Sequence, residues 1–309
     1  MGTCDAHLLL SLMQIFILCL LCIMAKVEAL NKTLSGFYVF GDSTVDPGNN
    51  NYIKTPFRSN FPPYGLDFSN QVPTGRFTNG KLATDYIASY VGLKKELLPP
   101  YLDPSLTNIE ELMTGVSFAS AGSGFDPLTP TITNVIPLEK QLEYFRECKK
   151  RMEDAMGKQR IEEHVEKAVY FISAGTNDFV INYFGLPVRR KTYTLQAYQN
   201  FLIQHITDFI QKMQMHLNFS ASKAKIYYVD IYKPIADMIQ SRKIFGFDEV
   251  DSGCCGSGLI EASILCNKIS NVCLDPSKYV FWDAIHPTQR AYHNIFLASI
   301  STIDLIVNN

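Results

Sequence analysis

The sequence carries almost no net charge. Its 28 lysines and arginines stand against 30 aspartates and glutamates, a formal charge of −2. A nucleic-acid-binding domain usually shows a basic excess, so that class is not expected. The composition of a disordered chain is missing too. With 47% hydrophobic, 12% aromatic and 19% charged residues, there is enough apolar material for a sizeable core. No internal repeat, low-complexity tract or linker-like break divides the chain after its first thirty residues. One domain over 30–309 is the expected organisation. Beyond that leader no run is long and apolar enough to cross a bilayer. No stable membrane anchor is therefore expected.

The leader is a different kind of segment. Leu8 to Ala25 reads LLLSLMQIFILCLLCIMA without a charge, and Val27-Glu28-Ala29 offers small residues at a cleavage site. This predicts a secretory signal over 1–29, cut near Ala29 or Leu30, and an extracellular product. The simpler alternative is an uncleaved anchor, although the n-region has only His7 and no Lys or Arg.

Cysteine usage follows from the compartment. Cys4, Cys19 and Cys22 leave with the signal, while Cys148, Cys254, Cys255, Cys266 and Cys273 remain. Four of these cluster, but there is no C-x-x-C and no nearby histidine, so no metal site is expected. An oxidising lumen favours disulfides. Two bridges and one free thiol are possible, with the pairing open. Asn31 and Asn218 begin glycosylation sequons, which secretion makes plausible.

Hydrophobic patterning predicts strands alternating with helices. Short apolar runs at Gly36–Phe40, Val116–Ala119, Ala168–Ser173 and Ala224–Ile231 read as buried strands. Helical spacing covers Gly80–Val91 (capped by Thr78 or Asn79), Leu138–Met156, Gln159–Lys167, Thr194–Leu217, Ile235–Ser241 and Pro287–Ile300. Residues 47–80, rich in Pro, Gly and Asn, read as a long surface loop. Its aromatics Tyr52, Phe57, Phe61 and Tyr64 either line an apolar groove or pack the loop, and packing is the simpler reading. Apolar strands without clean alternation point to a mostly parallel sheet covered on both faces, an α/β/α sandwich. Such sheets place their sites beyond the carboxyl ends of the strands.

The residues at those ends carry chemistry. Gly41-Asp42-Ser43 follows the first strand, SAGSG (120–124) the second and Gly175-Thr176-Asn177-Asp178 the third. Asp283-Ala284-Ile285-His286 precedes the last helix. A serine hydroxyl becomes a nucleophile only with a base in reach and an acid orienting that base. Ser43, His286 and Asp283 are the candidates. A tetrahedral oxyanion needs donors already in place. The Ser43 and Gly122 amides and the Asn177 side chain can supply them, and Gly122 has no side chain to obstruct approach. Each piece alone has a simpler reading: a turn for Gly-Asp-Ser, a cap of the last helix for Asp283. SAGSG lacks the lysine and spacing of a phosphate loop. His164 reads as a solvated helix residue, and His205, His216 and His293 as helix packing or surface.

Taken in order, FGDSTVDPGNNN (40–51), GVSFASAGSG (115–124), GTNDF (175–179), GCCGSG (253–258) and KYVFWDAIHPTQRAY (278–292) resemble the plant GDSL esterase/lipase family of SGNH hydrolases. The resemblance runs from Gly36 to the C-terminus. It implies a flavodoxin-like three-layer sandwich, Ser43 as nucleophile, Asp283 and His286 completing a triad, and Gly122 and Asn177 joining the Ser43 amide in an oxyanion hole. It also implies hydrolysis of a lipid or other carboxylic ester through an acyl-enzyme, with no metal or organic cofactor. The serine sits on Gly-Asp-Ser and not on the G-x-S-x-G elbow of α/β-hydrolases. The chain departs from the family between Asp178 and Asp230, where a strand–helix segment is absent and Gly185-Leu186-Pro187 precedes the helix. That departure leaves two other readings: a non-enzymatic secreted remnant, or an acyltransferase on the same triad.

Overall fold

The computed structural model describes residues 34–94, 97–217 and 225–308. The expected signal segment 1–29 and both sequons, Asn31 and Asn218, lie outside the described residues. The centre of the fold is β1 (Phe37–Gly41), whose five residues are all buried. Its two faces explain the layers. Tyr38 and Phe40 point into one cluster with Phe118, Phe145 and Phe209. Phe37 and Val39 point into another with Ile87, Ala88, Phe296 and Ile303. A strand apolar on both faces requires cover on both, which helices supply.

One cover is made by α4 (Leu138–Met156) and α6 (Leu195–Leu217), which bring Phe145 and Phe209. The other is made by α1 (Ala83–Tyr90) and α9 (Gln289–Asn308), which bring Ile87 and Phe296. Between these come α2 (Ile109–Thr114), α3 (Leu128–Thr133) and α5 (Lys158–Glu166). After α6 follow α7 (Tyr232–Gln240) and α8 (Arg242–Phe245).

β1 pairs in parallel with β2 (Val169–Ser173), from Phe37 opposite Val169 to Gly41 opposite Ser173. On its other side residues 116–120 run parallel. Val39 donates to Val116, and Phe118 and Ser120 donate back to Val39 and Gly41. A second parallel pair, β3 (Glu249–Gly253) with β4 (Tyr279–Phe281), packs against Met238 and Tyr292 of α7 and α9. Short and partly polar, β3 gives no apolar run in the sequence.

Three expectations are corrected. Residues 225–231 form no strand. Ile226 is 70% and Tyr228 83% exposed, and among the described residues no strand lies along the outer edge of β2. Strand-like composition is not enough without a neighbouring ladder. Residues 47–80 are irregular as expected, but stretches at 47–50 and 75–80 are buried and not surface. Asn49 donates to Ser117 and Ala119 carbonyls (both 2.8 Å), Asn50 donates to Ala121 (2.9 Å), and Arg76 is buried against Asp85. Side-chain amides and a guanidinium here satisfy backbone groups that a strand would otherwise pair. Finally, Thr78 and Asn79 do not cap α1. Asp85 accepts from the Leu82 N–H, and Asn79 Oδ1 instead accepts from the Gln289 N–H at the start of α9, beside its cap Thr288.

Candidate active site

Gly41 ends β1 at φ 143°, and a Cβ there would fall 1.9 Å from the Ser173 carbonyl oxygen. Only glycine lets the chain leave the sheet here. Gln141 of α4 clamps the exit. It accepts from the Gly41 N–H and donates to the Gly41 carbonyl, each at 2.9 Å. Nothing in the sequence marks Gln141, since a polar residue in a helix reads as surface. Asp42 turns inward, with its N–H on Ser173 O and its carboxylate accepting from the Thr44 N–H and hydroxyl. Burial pushes its carboxyl pKa up, against Thr44 and His286, which pull it down. Ser43 is thereby presented beyond the sheet, 6% exposed.

His286 arrives from β4. The Trp282 N–H donates to His286 O at 2.7 Å, closing a tight loop. Asp283 Oδ1 accepts from the N–H groups of Ile285 and His286 (2.9 and 2.8 Å), which turns the carboxylate back to the ring. His286 Nδ1 lies 2.8 Å from Asp283 Oδ2, and Nε2 lies 2.9 Å from Ser43 Oγ. With Nδ1–H donated to the carboxylate, the Nε2 lone pair faces the hydroxyl. Phe77 packs on the imidazole with centroids 4.8 Å apart. Asp283 is not the cap of α9, where the Thr288 hydroxyl accepts from the Ala291 N–H.

The three expected oxyanion donors follow β1, the parallel run 116–120 beside it, and β2. Gly122 has φ 88°, and a Cβ there would press on Phe57 and Thr133 at 3.2 Å. Its loop is fixed by Asp46, which accepts from Ala121 N–H (2.9 Å), Gly48 N–H (2.8 Å) and Asn49 N–H (2.7 Å). Burial lifts the Asp46 carboxyl to about 6 despite these donors. Asn177 Nδ2 donates to Ser123 O at 2.9 Å, tying it to the Gly122 loop. The N–H groups of Ser43 and Gly122 donate to no acceptor among the described residues.

Next to Asn177, Asp178 accepts from the Phe125 N–H (2.9 Å), the Asp126 N–H (3.1 Å) and the Thr129 hydroxyl. Burial pushes its carboxyl to about 6. Asp126 in turn takes both arms of Arg189 (2.7 and 2.6 Å) and the Tyr198 hydroxyl (2.9 Å). Nothing in the sequence marks Asp46, Asp178 and Asp126. Acidic residues in Gly- and Asn-rich turns look like turn formers.

The other histidines do not join the site. His164 is half-buried against Met113 O and Tyr38, not solvated, and burial lowers its pKa. His205 and His293 stack on Phe201 and Tyr86. Disulfides join Cys254 to Cys273 and Cys255 to Cys266, and Cys148 is a buried free thiol. Among the described residues no group of three or more His, Cys, Asp or Glu is placed to hold a metal ion. No described helix is long and apolar enough to cross a membrane.

Comparison with known proteins places this arrangement. The model of the GDSL-like lipase/acylhydrolase family matches residues 37–217 and 192–298. One GDSL esterase/lipase of Arabidopsis thaliana is 48% identical over 342 residues, covering 92% of this chain and 91% of its own. A second is 38% identical, covering 85% and 78%, and a third 36% identical, covering 86% and 88%. The 342-residue alignment is longer than the 309-residue chain, so that relative carries residues with no counterpart here. The family match breaks into two pieces, 37–217 and 192–298, that overlap over 192–217. By the extent of both matches, the chain belongs to the GDSL-like lipase/acylhydrolase family.

Proposed function

We propose that the chain is a carboxylic ester hydrolase that works through an acyl-enzyme on Ser43. The observation that carries this is the 2.9 Å approach of His286 Nε2 to Ser43 Oγ, with Asp283 on the far ring nitrogen. His286 takes the hydroxyl proton as Oγ attacks the carbonyl carbon. Asp283 holds the ring and stabilises the imidazolium. Negative charge then gathers on the former carbonyl oxygen. The Ser43 and Gly122 N–H groups and the Asn177 amide are its donors. Collapse returns the proton from His286 to the departing alcohol. Water, deprotonated by the same imidazole, then releases the acid and restores the hydroxyl. No step calls on a metal or an organic cofactor.

The names of the Arabidopsis relatives, esterase/lipase, support a lipid or other small ester as substrate. The apolar leader and the two disulfides support a secreted enzyme that loses residues 1–29. Labelling with a serine-directed organophosphate tests the proposal. Modification mapped to Ser43, with loss of turnover in a folded Ser43→Ala variant, is the expected result. A cooperatively melting protein that takes no label, or turnover that survives Ser43→Ala, would overturn it.

A further inference from the structure

Tyr64 lies in the long irregular segment between Ser43 and α1, and its hydroxyl reaches Asp283. It donates to Asp283 Oδ2 at 2.8 Å and accepts from the Ser263 N–H, also at 2.8 Å. From this geometry we infer that Tyr64 is a positioning residue for the esterase site, setting the orientation and charge of Asp283 and, through it, of His286. The inference rests on the hydrolase reading above.

A phenol has one proton to give. Because the Ser263 N–H occupies the acceptor side of the oxygen, that proton is directed at Asp283. Ser263 is itself fixed. Its Oγ donates to Pro56 O (2.9 Å) and Arg58 O (3.0 Å) and accepts from the Arg58 N–H (3.2 Å). It sits within the loop closed by the Cys255–Cys266 bridge. The ring is only 1% exposed and packs edge-on to Phe61, Phe77 and Trp282. Burial, then the charge of Asp283, raise the phenol well above its ordinary range, so it stays a donor.

The carboxylate's contacts divide in a way that gives this donor a task. Oδ1 is held by the N–H groups of Ile285 and His286, both from its own turn. His286 Nδ1 faces both oxygens, 2.9 Å from Oδ1 and 2.8 Å from Oδ2, and Tyr64, the partner from outside that turn, bonds Oδ2. A donor on that oxygen fixes rotation of the carboxylate and draws off part of its charge. Without it, the carboxylate would hold the imidazole N–H more strongly and less directionally.

The test uses the full-length secreted protein. Tyr64→Phe deletes one oxygen and keeps the ring. With a short-chain aryl ester, kcat should fall about 10- to 100-fold, as for loss of a hydrogen bond to a charged group, with KM unchanged. In an Asp283→Ala background the same substitution should change kcat by less than about threefold, because the group it acts on is gone. Equal losses in both backgrounds would overturn the inference. A second readout needs no turnover. The downfield proton resonance of His286 Nδ1–H should move further downfield in Tyr64→Phe, and an unmoved resonance would overturn the inference. Should Tyr64→Phe fail to fold, 3-fluorotyrosine in place of Tyr64 keeps the hydroxyl and strengthens it as a donor. The resonance should then move upfield, and no movement would again be decisive. Ser43→Ala separates the two layers: turnover surviving that change removes the hydrolase reading, whereas the resonance judges Tyr64 alone.

Discussion

Replacing Asn177 by alanine separates catalysis from stability more cleanly than any other change at the site. Its side chain makes one hydrogen bond in the structure, from Nδ2 to Ser123 O at 2.9 Å. Losing one neutral hydrogen bond at a half-buried position costs about 1 kcal/mol net. In a chain of this size that lowers Tm by about 2–4 °C. The catalytic loss should be far larger. Removing one pre-placed oxyanion donor lowers kcat by about 10²–10³-fold, since the donor acts in the transition state and hardly at all on bound substrate. The expected signature is therefore a small Tm shift, an unchanged KM and a collapsed kcat. Steady-state kinetics on an aryl ester and thermal melts by circular dichroism measure all three. A folded Asn177→Ala variant that keeps more than about a tenth of wild-type kcat would refute Asn177 as an oxyanion donor.

The carboxyls of Asp46 and Asp178 stand at about 6 in the fold, above their ordinary 3.8. A raised folded value means their contribution to stability is complete below about pH 4 and lost as pH rises through about 6. Each contributes up to ~3 kcal/mol, and Asp178→Asn should flatten the Tm–pH profile over that window; a profile unchanged from wild type would count against the assignment. Arg76, 2% exposed, gives both outer nitrogens and Nε to Asp85, Pro47 O and Leu98 O. Arg76→Ala strands a buried carboxylate and should cost about 3–5 kcal/mol in denaturant unfolding; a loss under about 1 kcal/mol would contradict the buried pair. In native-state hydrogen exchange, Tyr170 and Ile172 of β2, whose N–H groups alternate away from β1, should exchange well before the amides of β1. Equal protection would mean that another strand covers that edge.

The parts of the fold legible in the sequence are those whose composition alone decides their state. β1 is apolar on both faces and can only be a central strand. The run Leu138–Met156 appears as a helix with the bounds its periodicity gives. Ser43, Gly122 and Asn177 follow runs that read as strands, and Asp283 and His286 precede a run that reads as the last helix. What is not legible depends on distant partners. Residues 225–231 have strand composition, but a strand exists only where a neighbour offers a ladder. Tyr64 and Asp283 are 219 positions apart, and no local pattern connects them. Gln141 has the helical register of a core position, but its polarity hides it. Asp46 and Asp178 look like ordinary turn residues because their acceptors and donors are assembled only by the fold.

The outer edge of β2, unpaired among the described residues, bears unequally on the two halves of the candidate site. Ser43 leaves β1, which is bonded on both sides. Asp283 and His286 stand beside a loop stapled by two disulfides and held by Tyr64. Asn177 instead follows β2, whose residues are all half-buried and whose outer edge meets no strand among the described residues. Left to the sheet alone, this donor would be the least fixed of the three. It is secured sideways. Asn177 bonds Ser123, Asp178 gathers three donors from residues 125–129, and Asp126 closes the group with Arg189 and Tyr198. These contacts run toward the Gly122 loop, away from the bare edge. Since a displacement of ~1 Å can cost ~100-fold in rate, the proposed oxyanion role of Gly122 and Asn177 depends on the Asp178 and Asp126 carboxylates more than on the sheet.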